Sequence, residues 1–112
     1  MELQDLIKRL RIAMKEKEEI TEGILQANTE LAELEKDYRH NLAIELMRLR
    51  ENKVPTVCIT KVAEGHTRAD MYKIEVLQYR IRYMKDKLEN IRQDIEVYRS
   101  LVKNERELIN TI

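Results

Sequence analysis

The residues with the clearest capacity for chemistry are three tyrosines set among basic residues in the second half of the chain. They are Tyr72, Tyr79 and Tyr83, and the neighbouring basic residues are Lys73, Arg80, Arg82 and Lys85. Aromatic rings stack on nucleic-acid bases while lysine and arginine neutralise phosphates, so this combination is typical of a surface that binds single-stranded nucleic acid. Tyrosines at helical spacing are also typical of an interface between protein copies, with the basic residues in solvent. Both alternatives stay open from the sequence.

Residues that could act in catalysis or metal binding do not form a recognisable set. Cys58 lies between Val57 and Ile59, an apolar setting in which we expect a small buried thiol. His66 follows Gly65 and is expected in a loop or at a helix entry. The sequence has no Glu-x-x-His, Cys-x-x-Cys or phosphate-binding glycine loop, the patterns that would indicate a metal or nucleotide site. We therefore expect no catalytic residue, no metal site and no cofactor, and a protein that is not an enzyme.

Composition points to long helices in water. The 112 residues include no Trp, no Phe and 2 Gly, and 38% are charged, with 21 basic and 21 acidic residues. This mixture suits helices with one apolar face better than an enzyme built around a pocket. We expect one domain over residues 1–112. The sequence has no signal peptide, no apolar run long enough to span a bilayer, and one cysteine. These features indicate a cytoplasmic protein without a membrane partner.

A heptad pattern fixes the expected architecture. Twelve positions in the last third of the chain step by three and four residues, and eleven are apolar: Ile74, Leu77, Ile81, Met84, Leu88, Ile91, Ile95, Tyr98, Val102, Glu105, Ile109 and Ile112. The first half has a similar stripe from Leu3 to Tyr38, after which the apolar positions shift to Leu42, Leu46 and Leu49. Such repeats predict two long helices in a coiled coil.

The segment between the two helices contains Pro55, which cannot lie inside a helix. Residues 54–59 are rich in β-branched side chains and predict a short extended piece. Thr67 is expected to cap the second helix, with Asp70 completing a capping box. The predicted fold is all-α: an antiparallel two-helix coiled-coil hairpin with helix 3–51, a short extended joint at 52–67 and helix 68–111.

Folding the second helix straight back on the first gives a register. If Leu49 faces Met71, the numbers of facing residues add up to about 120. Lys17 then lies near Glu105, and this pair of polar breaks in the two stripes would fix the register. The same register places Gly23 near Tyr98 and Asn41 near Arg80. The alternative is that these polar residues simply face solvent.

Apolar residues outside the heptad positions predict self-association, because a helix with a second apolar face needs a second neighbour. The expected oligomer interface contains Tyr72, Val76, Val97, Leu101 and Leu108. Charge adds a further expectation. Residues 48–87 hold ten basic and five acidic side chains, whereas residues 1–47 hold seven and eleven. A hairpin would then be basic at the joint and acidic where the termini meet.

The segment from Lys53 to Leu108 carries a resemblance. It has a Pro-containing joint, Ala63-Glu64-Gly65, Ala69-Asp70, Tyr72, the pair Tyr79 and Tyr83, and Arg99-Ser100-Leu101. In this layout it resembles small helical bacteriophage proteins of the recombination and replication region and, more distantly, is similar to the UvsY-type recombination mediators of T-even phages. The resemblance implies an oligomer that binds single-stranded DNA and helps load a recombinase. The corresponding positions are Lys73, Tyr79, Arg80, Arg82 and Tyr83.

Two other functions remain open from the sequence. One is a protein-interaction module, such as a phage adaptor, an anti-defence inhibitor or a scaffold, which binds a host or phage protein. The other is a holdase that resembles prefoldin, whose small subunits place two long helices around a β segment. The expected partners are therefore a second copy of the chain, single-stranded DNA, and a recombinase or other protein.

Overall fold

The computed structural model describes residues 2–111, and these residues form three α-helices. Helix α1 spans Leu3–Glu51, α2 spans Thr56–His66 and α3 spans Arg68–Thr111. No strand occurs among the described residues. The bounds of α1 and α3 coincide with those expected from the heptad pattern, and Ile112, the last predicted heptad position, lies outside the described residues. The chain is thus all-helical, with one helix more than the sequence predicted.

Helix α1 ends in a Schellman motif, which satisfies the last carbonyl groups of the helix. The N–H of Val54 donates to the carbonyl of Leu49 and the N–H of Lys53 to that of Arg50, each at 3.1 Å. Lys53 adopts the left-handed conformation with φ 57°. Val54 also packs against the cluster that contains Leu49, so an apolar contact accompanies the hydrogen bonds. The chain therefore leaves α1 in a fixed direction before Pro55.

Helix α2 corrects the prediction of an extended joint. Only Val54 and Pro55 lie between the turn that ends α1 and the start of α2. Although β-branched residues disfavour helix slightly, propensity is a weak preference that burial overrides. Ile59 and Ala63 lie one turn apart and are 6% and 0% exposed, in a cluster with Leu49. Burying this face against α1 explains why the segment is helical.

The junction between α2 and α3 is the single residue Thr67. Its hydroxyl donates to the carbonyl of Ala63 at 2.8 Å, so the side chain bonds back to α2 and does not cap α3. Its carbonyl accepts the N–H groups of Asp70 and Met71. The carboxylate of Asp70 accepts a hydrogen bond of 3.1 Å from Asn41. The predicted capping box is therefore wrong, because both of its side chains have other partners.

The structure divides into two compact units. Unit 1 comprises Met1–Leu25 and Arg82–Ile112, taken over their described residues. One of its core clusters contains Ala13, Ile91 and Ile95, against which Leu10, Ile20 and Tyr98 pack. Further along α1, Gly23 faces Met84, whose Sδ lies 3.6 Å from the position that a Cβ would occupy. Because partner numbers on α3 fall as those on α1 rise, the two helices run antiparallel within this unit.

Unit 2 comprises Gln26–Ile81. The last turns of α1 pack against α2 through Leu49, Ile59 and Ala63, with Leu42 and Leu46 beside them. This contact confirms the predicted shift of the apolar stripe after Tyr38. The hydrogen bond between Asn41 and Asp70 joins α1 to the first turn of α3. Helix α2 therefore packs against the end of α1, where the sequence predicted that the start of α3 would pack.

The predicted register is wrong for this reason. Facing residues are Gly23 with Met84 and Asn41 with Asp70, so their numbers add up to 107 and 111, not to about 120. Lys17 and Glu105 are both half-buried but are not brought together. Ala13, one turn before Lys17, packs against Ile95, and Glu105 lies ten residues beyond Ile95 in the opposite direction. At 1.5 Å per residue, Lys17 and Glu105 are roughly 20 Å apart.

Burial of the heptad positions on α3 follows the prediction over most of its length. Seven of them are buried: Ile74, Leu77, Ile81, Leu88, Ile91, Ile95 and Val102. Met84, Tyr98 and Glu105 are half-buried, whereas Ile109 is exposed. The apolar stripe thus forms the inner face of α3 as far as Glu105, and its last described apolar position faces solvent.

Candidate interaction surface

The outer face of α3 in unit 2 carries a row of large exposed side chains. Tyr72, Val76 and Tyr79 are 67%, 48% and 69% exposed, whereas Ile74 and Leu77 beside them are buried. Their spacing of four and three residues places the three exposed side chains on one face of the helix, away from the buried pair. We call Tyr72, Val76 and Tyr79 the tyrosine face. The sequence assigned Tyr72 and Val76 to an oligomer interface and Tyr79 to a nucleic-acid contact, and all three are exposed in the structure.

A shallow groove of about 270 Å³ borders this face between α1 and α3. Leu34 and Leu77 contribute apolar surface to it, and Glu30 contributes a carboxylate. The α3 side chains along it are Tyr72, Lys73, Val76 and Arg80. Lys73 and Arg80 lie one residue after Tyr72 and Tyr79, so each tyrosine has a basic neighbour. The groove can accept an apolar or aromatic group flanked by negative charge, although Glu30 opposes an anion.

The other predicted site residues fall in unit 1. Arg82, Tyr83 and Lys85 are exposed there, and so are the predicted interface residues Val97, Leu101 and Leu108. Exposure allows the roles that the sequence suggested for them. A nucleic-acid contact and an oligomer interface both remain predictions for these positions.

The charge distribution differs from the expected dipole. Unit 2, which contains the joint, has nine basic and nine acidic side chains, and unit 1 has twelve of each. Unit 2 is neutral because the acidic residues of the second half of α1 pack alongside the basic joint. The ends that meet in unit 1 are basic instead, since residues 2–15 and 99–111 together hold seven basic and four acidic side chains. The tyrosine face therefore lies on a neutral unit.

An ionic cluster links α1 to α2. Arg48 donates to both carboxylate oxygens of Glu45, from Nη2 at 2.7 Å and from Nε at 2.9 Å. Nδ1 of His66 lies 2.8 Å from Oε1 of Glu45. The hydrogen bond from Arg48, and then that from His66, lowers the pKa of Glu45 from 4.5 to about 2. The spacing of Glu45 and Arg48 was readable from the sequence, but the contact with His66 depends on α2 and was missed.

We expect Glu45→Gln to weaken the fold at neutral pH and to make it less sensitive to acid. Because the folded-state pKa of Glu45 is depressed, its contribution is present above about pH 4.5 and is lost as the pH falls towards about 2. Circular dichroism melting between pH 7 and pH 2 should show the gap in melting temperature between wild type and variant closing in acid.

Glu64→Gln removes an exposed carboxylate from α2 and serves as the matched control for this melting experiment. A constant gap between wild type and Glu45→Gln across the whole pH range would contradict the role of the Glu45 carboxylate.

Among residues 2–111, no group of three or more His, Cys, Asp or Glu side chains is placed to hold a metal ion. Cys58 is exposed, which corrects the expectation of a buried thiol, because α2 turns it away from Ile59 and Ala63. No described helix is long and apolar enough to cross a membrane.

Comparison with protein-family models, curated proteins and solved structures finds no match for this chain.

Proposed function

We propose that this chain is a non-catalytic binding protein, an antiparallel coiled-coil hairpin that self-associates through the tyrosine face. The observation that carries the proposal is the exposure of Tyr72, Val76 and Tyr79 on one face of α3. Aromatic side chains that bury 150–250 Å² each dominate the energetics of many protein interfaces. Three large side chains at helical spacing are the pattern by which one helix docks on another.

Each of the two units, taken separately, supports the proposed coiled-coil hairpin. In each of them α1 and α3 run antiparallel, and the buried residues of α3 occupy heptad positions. A two-helix pair buries one face of each helix, and small cores are marginally stable. A second copy on the tyrosine face would give α3 a second helical neighbour and bury apolar surface that is now in water.

Self-association can be tested by measuring molar mass with light scattering over a range of protein concentrations. We expect the wild-type chain to exceed the monomer mass of 13.5 kDa, and Val76→Glu to return it to the monomer because a charge would enter the apolar contact. Gln78→Glu adds the same charge two residues away at another exposed position and should leave the mass of the oligomer unchanged. A wild-type chain that stays monomeric at every concentration contradicts the proposal.

A second candidate is binding of single-stranded DNA, as in a phage recombination mediator that assists a recombinase. It is favoured by the placement of Lys73 and Arg80 along the same groove as Tyr72, since stacking and phosphate contacts work together in such proteins. It ranks second because Glu30 lines the groove and unit 2 has no net positive charge, whereas phosphate neutralisation supplies most of non-specific affinity. The exposed free thiol of Cys58 fits a reducing, cytoplasmic setting for either candidate.

Fluorescence anisotropy with a labelled single-stranded oligonucleotide separates the two candidates. DNA binding requires affinity that falls steeply with salt and is lost in the variant Lys73→Ala with Arg80→Ala. Lys53→Ala with Lys61→Ala removes the same charge from unit 2 outside the groove and is the matched control. Equal affinity in both double variants would assign any binding to general charge and not to the tyrosine face. The prefoldin-like alternative loses its β segment, because residues 2–111 contain no strand.

A further inference from the structure

Unit 1 also has a groove, of about 470 Å³, between the first turns of α1 and the last turns of α3. Ile7, Leu10 and Met14 line it from α1 at spacings of three and four residues, and Val102 lines it from α3. Val102 is buried, Ile7 and Leu10 are half-buried and Met14 is exposed. The lining is therefore an aliphatic strip that remains partly open to water.

Basic side chains surround this aliphatic strip. Arg99, Lys103 and Arg106 line the groove from α3, and Arg11 lines it from α1. The α3 residues repeat every four and three positions, so they form one row about 10 Å long at 1.5 Å per residue. The acidic residue in the lining is Glu107. Four cations against one carboxylate give the groove a clear positive excess in a unit that is neutral as a whole.

Most of these cations have no ionic partner among residues 2–111. Among residues 2–111, Arg11, Lys103 and Arg106 form no ion pair. Nη1 of Arg99 lies 3.4 Å from Oε1 of Glu96, and both side chains are more than half exposed. A pair that is this exposed to solvent contributes little, so Arg99 can exchange it for another carboxylate. The cations are thus available to an external anionic group.

We propose that this basic groove binds an acidic amphipathic α-helix of a partner protein. The aliphatic strip would take the apolar face of that helix, and the row from Arg99 to Arg106 would pair with carboxylates at three- and four-residue spacing along its edge. Docking of an amphipathic helix in a groove is a common mode of recognition, with anchors at such spacings. The complementary charges favour this partner over a basic or neutral one and set its orientation.

The chemistry of the lining argues against other anionic partners. None of the described residues that line the groove is aromatic, so they offer no stacking platform for the bases of a single-stranded nucleic acid. Its apolar residues form a concave strip beside the basic row of α3, whereas a helix that lies on a lipid surface presents its apolar face outward. The inference rests on unit 1 alone and does not depend on the tyrosine face of unit 2, so either proposal can fail without the other.

The test is fluorescence anisotropy with a labelled helical peptide of about four turns, with leucines at three- and four-residue spacing and glutamates flanking them. We expect this peptide to bind the full chain with an affinity that falls with salt. A peptide with lysines in place of the glutamates should bind at least about tenfold more weakly. The variant Lys103→Glu with Arg106→Glu should weaken binding of the acidic peptide by at least about tenfold.

The matched control is Lys87→Glu with Arg92→Glu, which makes the same charge change at exposed positions of α3 in unit 1 outside the groove. Circular dichroism should show all variants equally helical. Equal binding of the acidic and lysine peptides, or equal affinity of the groove variant and the control, overturns the proposal. It is also overturned if the groove variant changes the molar mass of the protein, since a second copy would then fill the groove. A third result would also overturn it. In that result the wild-type chain binds anionic vesicles or a single-stranded oligonucleotide but not the acidic peptide, and only the groove variant loses this binding.

Discussion

Replacing Ile95 by Ala is expected to lower the free energy of unfolding by about 2–5 kcal/mol. Ile95 is 3% exposed and packs in a core cluster of unit 1 with Ala13 and Ile91. Truncation removes apolar contacts and leaves a cavity that the partner, Ala13, is too small to fill. A two-helix unit has few other buried residues, so the loss is a large fraction of the total free energy of unfolding.

The measurement is urea unfolding followed by helical circular dichroism, at several protein concentrations because self-association stabilises by mass action. Gln93→Ala changes an exposed residue two positions earlier on α3 and should alter the free energy of unfolding by less than about 0.5 kcal/mol. A loss of less than about 1 kcal/mol for Ile95→Ala would mean that Ile95 does not face α1 as described.

The long helices were predictable because their apolar residues repeat over many turns, and such periodicity is a strong signal. Helix α2 was not predicted, although Ile59, Val62 and Ala63 have helical spacing. The β-branched residues around them favoured a strand, and what decides the matter is the contact of Ile59 and Ala63 with Leu49. That contact is tertiary, so no local preference reveals it.

The register was predicted wrongly for a different reason. Heptad repeats are alike from one repeat to the next, so sliding α3 by seven residues again places apolar residues opposite apolar residues. The pairing of Lys17 with Glu105 was a polar clue to choose among registers, but it assumed a direct turn from α1 into α3. Because α2 covers the end of α1, the first turn of α3 lies beside Asn41 instead.

The candidate surfaces show the same division between pattern and register. The tyrosine face was readable from the spacing of Tyr72, Val76 and Tyr79, since an apolar residue outside the buried stripe must be exposed or covered by a partner. The neutral charge of unit 2 could not be predicted from the sequence, because it depends on which part of α1 lies alongside the joint. The basic groove of unit 1 likewise needs Arg11 opposite the row that includes Lys103.

A cross-linking experiment in unit 2 should separate the two registers almost completely. In a Cys58→Ser background, which removes the exposed native thiol, the variant Asn41→Cys with Asp70→Cys should react within one chain with a short bifunctional maleimide. The side chains of Asn41 and Asp70 are hydrogen-bonded at 3.1 Å, so cysteines at these positions lie within reach of such a reagent.

The matched pair, Asn41→Cys with Arg80→Cys, tests the register of a direct hairpin. Arg80 is ten residues beyond Asp70 on α3, or about 15 Å along the helix, so this pair should cross-link little in dilute protein. Preferential cross-linking of Asn41→Cys with Arg80→Cys would return α3 to the register of a direct hairpin and leave α2 without its place beside Leu49. The expected pattern instead ties the register to α2, because only a helix folded against the end of α1 moves the start of α3 to Asn41. The position of the tyrosine face depends on that register, since the antiparallel pairing in unit 2 sets which α1 residues border this face.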